Sequence, residues 1–200
     1  MSEFRIDQIY CKDATRGPDV AGITTFTGSG IVIPSGDTAY RGGRGRGVFG
    51  GGYSPGASPF AVVNTIDYVT IATLGNATDF GDTTIAVSQG GATASTTRAV
   101  RGGGSQPSPY TNVLDYVTIG STGNATDFGD LSVTRNEVAA CGSDTRGVWA
   151  GGEDPSGLSN VMDYITIATT GNATDFGDLL DGTQAQGRSN MSNNLRGVYA

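Results

Sequence analysis

Residues 67–82 read DYVTIATLGNATDFGD, and the phrase returns as DYVTIGSTGNATDFGD at 115–130 and DYITIATTGNATDFGD at 163–178. Twelve of its sixteen positions are identical in all three copies, and successive copies start 48 residues apart. A second phrase precedes each copy: RGVFGGG from Arg46, RAVRGGG from Arg98 and RGVWAGG from Arg146, with RGVYA opening again at Arg196. The marker spacings are 52, 48 and 50 residues. Self-similarity at a near-constant period is the signature of a repeat architecture.

Each unit reads as four short strands. The marker is the first, ending on glycines that permit positive φ and close backbone approach. The second runs over 66–73 and its copies, rich in Ile, Val, Tyr and Thr. Gly75-Asn76 then turns the chain, because both residues tolerate positive φ. A short third strand covers 78–80, and an irregular fourth falls near 93–97 or 138–142 and closes the unit. On the second strand Ile66, Leu114 and Met162 occupy one apolar position, and Ile71, Ile119 and Ile167 another. Val69, Val117 and Ile165 add a third, while Tyr68, Tyr116 and Tyr164 point to the opposite face from 69 and 71. Apolar bulk on both faces suits a strand held between neighbouring sheets. Four such strands about every 50 residues fit a β-propeller blade, nearer the Kelch length of ~50 than the WD length of ~40–45.

Composition agrees with this reading. There are 33 glycines in 200 residues, well above the usual ~7%, yet no G-x-y period that would make a collagen. Charged residues are scarce at 16%, Lys12 is the only lysine, and the net charge is −7, which disfavours a nucleic-acid partner. The chain has no histidine, which excludes Ser-His-Asp and Cys-His catalysis and histidine-based metal sites. Cys11 and Cys141 form no C-x-x-C pair, so two buried or free thiols are expected. The polar start MSEFRIDQIYCKD carries no signal-peptide pattern, and no apolar run is long enough to insert in a membrane.

In order, Gly51-Gly52, Tyr68 and Phe80 match the glycine pair, tyrosine strand and later aromatic of a Kelch blade. Gly103-Gly104, Tyr116 and Phe128 repeat the match, as do Gly151-Gly152, Tyr164 and Phe176. The chain departs from the Kelch pattern in having phenylalanine for the usual tryptophan, and Asp-Tyr for the frequent Tyr-Asp. It more closely resembles a divergent Kelch-like group in virion proteins of tailed phages, cyanophages especially. Those proteins repeat phrases very similar to RGVFGGG at 46–52, DYITIATTGNATDFGDL at 163–179 and the Cys-containing stretch before Arg146. The resemblance covers about 46–200. It implies an all-β protein: Kelch-like propeller blades, partial or truncated, behind a short strand-rich N-terminal segment. It also implies a virion structural protein of a tail fibre, baseplate or head surface, present in multiple copies beside other virion proteins. A host-receptor or glycan-binding adhesin is the alternative, and a carbohydrate-active propeller a remote one.

Residues 1–45 contain no copy of the unit. Strands are expected over 4–10, 23–27 and 31–33, with turns at 16–19 and 28–30. The stretch GITTFTGSGIVIPSG resembles N-terminal leaders of phage appendage proteins, which makes Phe4, Ile6, Ile9, Tyr10 and Phe26 candidate virion-docking residues. Capping of the repeat array is the other reading of the segment. Three units and the start of a fourth fall short of the ~4–8 blades that close a propeller. The expectation is a piece of a longer protein, closure with other subunits, or an open arc.

Several motifs tempt a sharper reading. The RGGRGRG run from Arg41 resembles an RNA-binding box, but its last Arg-Gly is the repeat marker and the chain is acidic. Asp79-Phe80-Gly81 echoes a kinase motif without a nucleotide loop to accompany it. The Asn-Ala-Thr sequons at Asn76, Asn124 and Asn172 read as turns closed by local side-chain bonds. The pairs Asp79/Asp82, Asp127/Asp130 and Asp175/Asp178 read as turn aspartates, since one pair per unit supplies few calcium ligands. Near-identity between units argues against an active site, which is asymmetric. No catalytic, cofactor or metal residue is therefore assigned. The connections at 53–61, 105–111 and 153–159 vary while the scaffold repeats, and Tyr53, Phe60, Tyr110, Asp154 and Leu158 become the candidate ligand or partner residues.

Overall fold

β-Branched runs punctuated by glycine produce strands throughout the computed structural model, which describes residues 45–54, 61–106, 110–182, 190–192 and 195–199. All of these lie in the unit Asp37–Ala200, and none of them is helical. Phe4, Ile6, Ile9, Tyr10, Phe26 and Phe60 lie outside the described residues, as do the strands expected before residue 45.

Three antiparallel sheets follow one another along the chain. Sheet I joins β1 (Arg46–Ser54), β2 (Ala61–Thr70) and β3 (Thr78–Asp82) in that order. Sheet II is β4 (Gly91–Ala94), β5 (Arg98–Gly102), β6 (Val113–Thr118) and β7 (Thr126–Asp130). Sheet III takes β8 (Ala139–Gly142) and β9 (Arg146–Ala150), then β12 (Val161–Thr166) and β13 (Thr174–Asp178). The hairpin β10 (Glu153–Asp154) and β11 (Gly157–Leu158) interrupts sheet III between β9 and β12, and β14 (Asn190–Ser192) pairs with β15 (Gly197–Tyr199).

The strand phase differs from the sequence reading. The irregular strand near 93–97 does not close its own unit: it is β4, it sits at 91–94, and it opens the next sheet against β5. A tight turn at 95–97 dictates this partner. Ser95 Oγ accepts the N–H groups of Thr97 and Arg98, and Ser95 N–H donates to Arg98 O. Ser143 repeats the same bonds between β8 and β9. The second strand also ends before Ile71 instead of reaching 73. In sheet I it starts early because residues 61–63 fold back on the end of β1.

One bulge recurs in every sheet. Ile66 pairs with Gly81 and Asp67 with Asp79, leaving Phe80 as the extra residue; Phe128 and Phe176 take the same place. A bulge re-aims the side chain it displaces. Here it turns the ring out of sheet I onto sheet II, where Phe80 lies with Ile66 and Val117. Between sheets II and III the same position gives Phe128, gathered with Val100, Leu114, Trp149, Ile165 and Ile167. Gly102 makes room for Trp149, since a Cβ there would stand 2.8 Å from the indole nitrogen, which donates to Gly91 O at 3.0 Å.

A buried aspartate fastens sheet II and sheet III each to the loop before it. Asp115 on β6 accepts two bonds from Arg101, at 3.0 and 2.9 Å, and two from Thr84 in the loop after β3, at 3.1 and 2.8 Å. Asp163 occupies the same place on β12, but there the cross-strand residue is Trp149 rather than arginine. Its guanidinium comes instead from Arg135 in the preceding loop, at 2.6 Å, where the previous repeat has Val87. Both partners of that pair are fully buried, and Arg135 also donates to Gly151 O and Val161 O. Burial pulls the Arg135 guanidinium below the ordinary arginine range, and the Asp163 charge opposes that shift.

Removing one partner of a buried pair strands the other charge. Asp163→Ala is expected to cost about 3–5 kcal/mol in denaturant unfolding. Asp67→Ala, at the same repeat position but exposed on sheet I, should stay within about 0.5 kcal/mol. Equal losses would show that the pair does not fasten sheet III.

Candidate functional site

The most repeated side chains meet between sheets. Arg46 stacks over the Tyr68 ring at 4.6 Å, and Tyr68 meets Phe80 edge to face at 5.9 Å. Arg98–Tyr116–Phe128 and Arg146–Tyr164–Phe176 repeat the stack. From it, Arg46 donates to Ile119 O just past β6 at 2.8 Å, and Arg98 to Ile167 O and Ala168 O just past β12 at 3.1 and 2.9 Å.

The Gly-Asn turn supplies the other half of the seam. β3 is the outer strand of sheet I, so its outward N–H and C=O groups need partners from elsewhere. Gly123 and Ala125 N–H donate to Phe80 O and Asp82 O, both at 2.7 Å, while Asn124 Oδ1 accepts Asp82 N–H at 3.1 Å. Gly171, Asn172 and Ala173 do the same for Phe128 and Asp130. The expected local bond of the sequon asparagine is thus replaced by a bond to the preceding sheet. Gly81 and Gly129 are required by this contact: a Cβ on either would lie 2.5 Å from the arriving turn's backbone. Among the described residues, no cluster of three or more His, Cys, Asp or Glu is placed to hold a metal ion.

The variable connections lie elsewhere, between the marker strand and the second strand of each sheet. Tyr53 on β1 and Leu158 on β11 are both more than half exposed. Asp154 Oδ1 accepts Ser156 N–H at 2.7 Å and shapes the β10–β11 hairpin. Tyr110 is half-buried, and its hydroxyl is raised by burial, then by the charge of Glu153 and a hydrogen bond to it. The structure therefore brings Tyr110 to Glu153, at the base of the hairpin that carries Asp154 and Leu158. Tyr53 stands one repeat away, on sheet I.

Beside this group is a polar cluster that the sequence reading missed. Gln89 Nε2 donates to Glu137 Oε1 at 2.9 Å, and Asn136 Nδ2 to Gln89 Oε1 at 3.4 Å. Gln89 and Glu137 hold the same repeat position and share an unusual left-handed backbone, with φ of 60° and 52°. Their only sequence signal is the 48-residue offset, because the flanking letters differ. Asn136 and Glu153 exchange backbone hydrogen bonds, both at 3.0 Å, which brings the cluster against the β10 connection. The arrangement offers amides, carboxylates and a phenol for hydrogen bonding.

Comparison with protein-family models finds no match, and comparison with curated proteins finds no significant one.

Burial, and then the nearby Glu153 charge, push the Glu137 carboxyl above its ordinary value. The folded chain then holds a proton that the unfolded chain has lost, so this group makes stability fall as pH rises from about 4.5 through its folded value. Glu137→Gln should flatten that fall in unfolding measurements between pH 4 and 8. An unchanged pH profile would remove Glu137 as its source.

Proposed function

We propose that sheets I–III are blades of a Kelch-like propeller, and that the chain is a structural protein of a tailed-phage virion. In this reading residues 1–45 dock on the particle, the blades face outward, and the partners are other virion proteins. The observation that carries it is the division of labour within the repeat. The invariant Arg, Tyr, Asn, Phe and Gly positions are occupied in joining sheet to sheet, while the variable residues collect on the connections. That is the organisation of a rigid scaffold with replaceable contact surfaces. The phage assignment itself comes from the resemblance of the repeated phrases.

A glycan- or receptor-binding adhesin is the second reading, favoured by the grouping of Tyr110 with Glu153, Gln89 and Glu137. A half-buried phenol beside amides and carboxylates is the chemistry that meets a polyol.

Mass spectrometry of washed particles is expected to find this chain, and antibody against the 153–159 connection is expected to label intact particles. Absence from particles would overturn the virion reading. Purified protein should leave host adsorption unchanged. If it blocks adsorption, and Tyr110→Ala abolishes the block, the adhesin reading replaces the purely structural one.

A further inference from the structure

The seam between consecutive sheets occurs twice within the described residues, and its two halves occur once more, apart. The outer face of sheet III repeats the surface on which sheets II and III are mounted. Phe80 and Phe128 are 2% exposed beneath the next sheet, whereas Phe176 is 47% exposed. Gly177 has the positive φ of Gly81 and Gly129, yet a Cβ on it would meet nothing nearer than Met162 at 4.0 Å. The far face of sheet I carries the complementary set. Gly75, Asn76 and Ala77 form the docking turn, and Ile71 is 68% exposed where Ile119 and Ile167 are at most 5%.

Strand count points the same way. Sheets II and III each open on a short strand, whereas sheet I has β1, β2 and β3 among the described residues. β14 lies against β8 as β4 does, held by Ser192 Oγ, which donates to Gly142 O at 2.9 Å and accepts Gly142 N–H at 3.3 Å. Its partner β15 begins on the Gly-Val of a marker, like the Gly47-Val48 of β1.

We propose that two copies of this chain associate head to tail, with sheet I of each copy docked on the outer face of sheet III of the other. The β1 strand of one copy takes the place of β15 on the other's β14, so each junction is a four-stranded sheet built from both chains. Head-to-tail contacts close when the rotation permits. Three sheets among the described residues of each copy make six, within the ~4–8 at which propellers close. The inference rests on the propeller part of the proposed function and is independent of the virion part.

Light scattering on the full 200-residue chain tests it, with an expected mass of twice 20.4 kDa. Ile71→Asp alters only the sheet I face and Phe176→Asp only the sheet III face. Each variant should keep the wild-type circular dichroism spectrum and weaken self-association at least about tenfold. Mixed together, they should form a one-to-one pair through the junction that neither substitution touches. A wild-type monomer would overturn the proposal while leaving the virion test unaffected. Open polymers would overturn closure of the ring, and variants that dimerise like wild type would overturn the interface. A monomer that Phe176→Asp destabilises would mean that the chain's own residues cover the face, and would overturn it too.

Discussion

The outer strand of a sheet presents backbone groups that must find partners, and in this protein the Gly-Asn turn of the following sheet meets that need. Two turn N–H groups reach the carbonyls of Phe80 and Asp82, and one side-chain oxygen takes the Asp82 N–H. The approach is close enough that only glycine fits at 81. The bulge that places Phe80 toward sheet II and the arginine that reaches Ile119 O both act across the same junction. The sixteen-residue phrase repeats so closely because its residues face a copy of themselves, and a change on one side needs an answering change on the other.

Much of this is legible in the letters. Period, strand content and the opposed faces of Tyr68 and Val69 follow from spacing and residue type, and each sheet contains the expected marker, second and third strands. Spacing alone misplaces the fourth strand. Assigning it to the preceding or the following marker depends on a three-residue turn whose serine hydroxyl closes the hairpin. The range of the asparagine bond is hidden for a related reason: a side chain that can close its own turn can equally close an edge 42 residues away. On the candidate surface, Tyr110, Asp154 and Leu158 stand out because their connections vary. Gln89 and Glu137 stay hidden because an unusual backbone angle leaves little trace in side-chain identity.

The functional reading follows from this separation of roles. The repeated arginines Arg46 and Arg98 are engaged in the seam, and Arg135 and Asp163 neutralise one another in the interior. The connections escape that constraint. Between β9 and β12 one of them has grown its own hairpin, and Glu153 at its base meets the polar cluster of the preceding loop. Sequence can change on this surface without disturbing the stack beneath it, as recognition surfaces require.

The different origins of the two guanidiniums that meet the buried aspartates bear on modularity. Sheet II carries Arg101 and Asp115 on adjacent strands of its own, so the arginine travels with the sheet if the unit is duplicated or moved. Sheet III cannot move so freely. Its Asp163 depends on Arg135, which precedes β8 and would be left behind by a cut at the Arg146 marker. Repeats that look interchangeable in their letters have thus become ordered. A shuffled array that placed sheet III behind a loop like that of Val87 would bury a carboxylate with no cation to meet it.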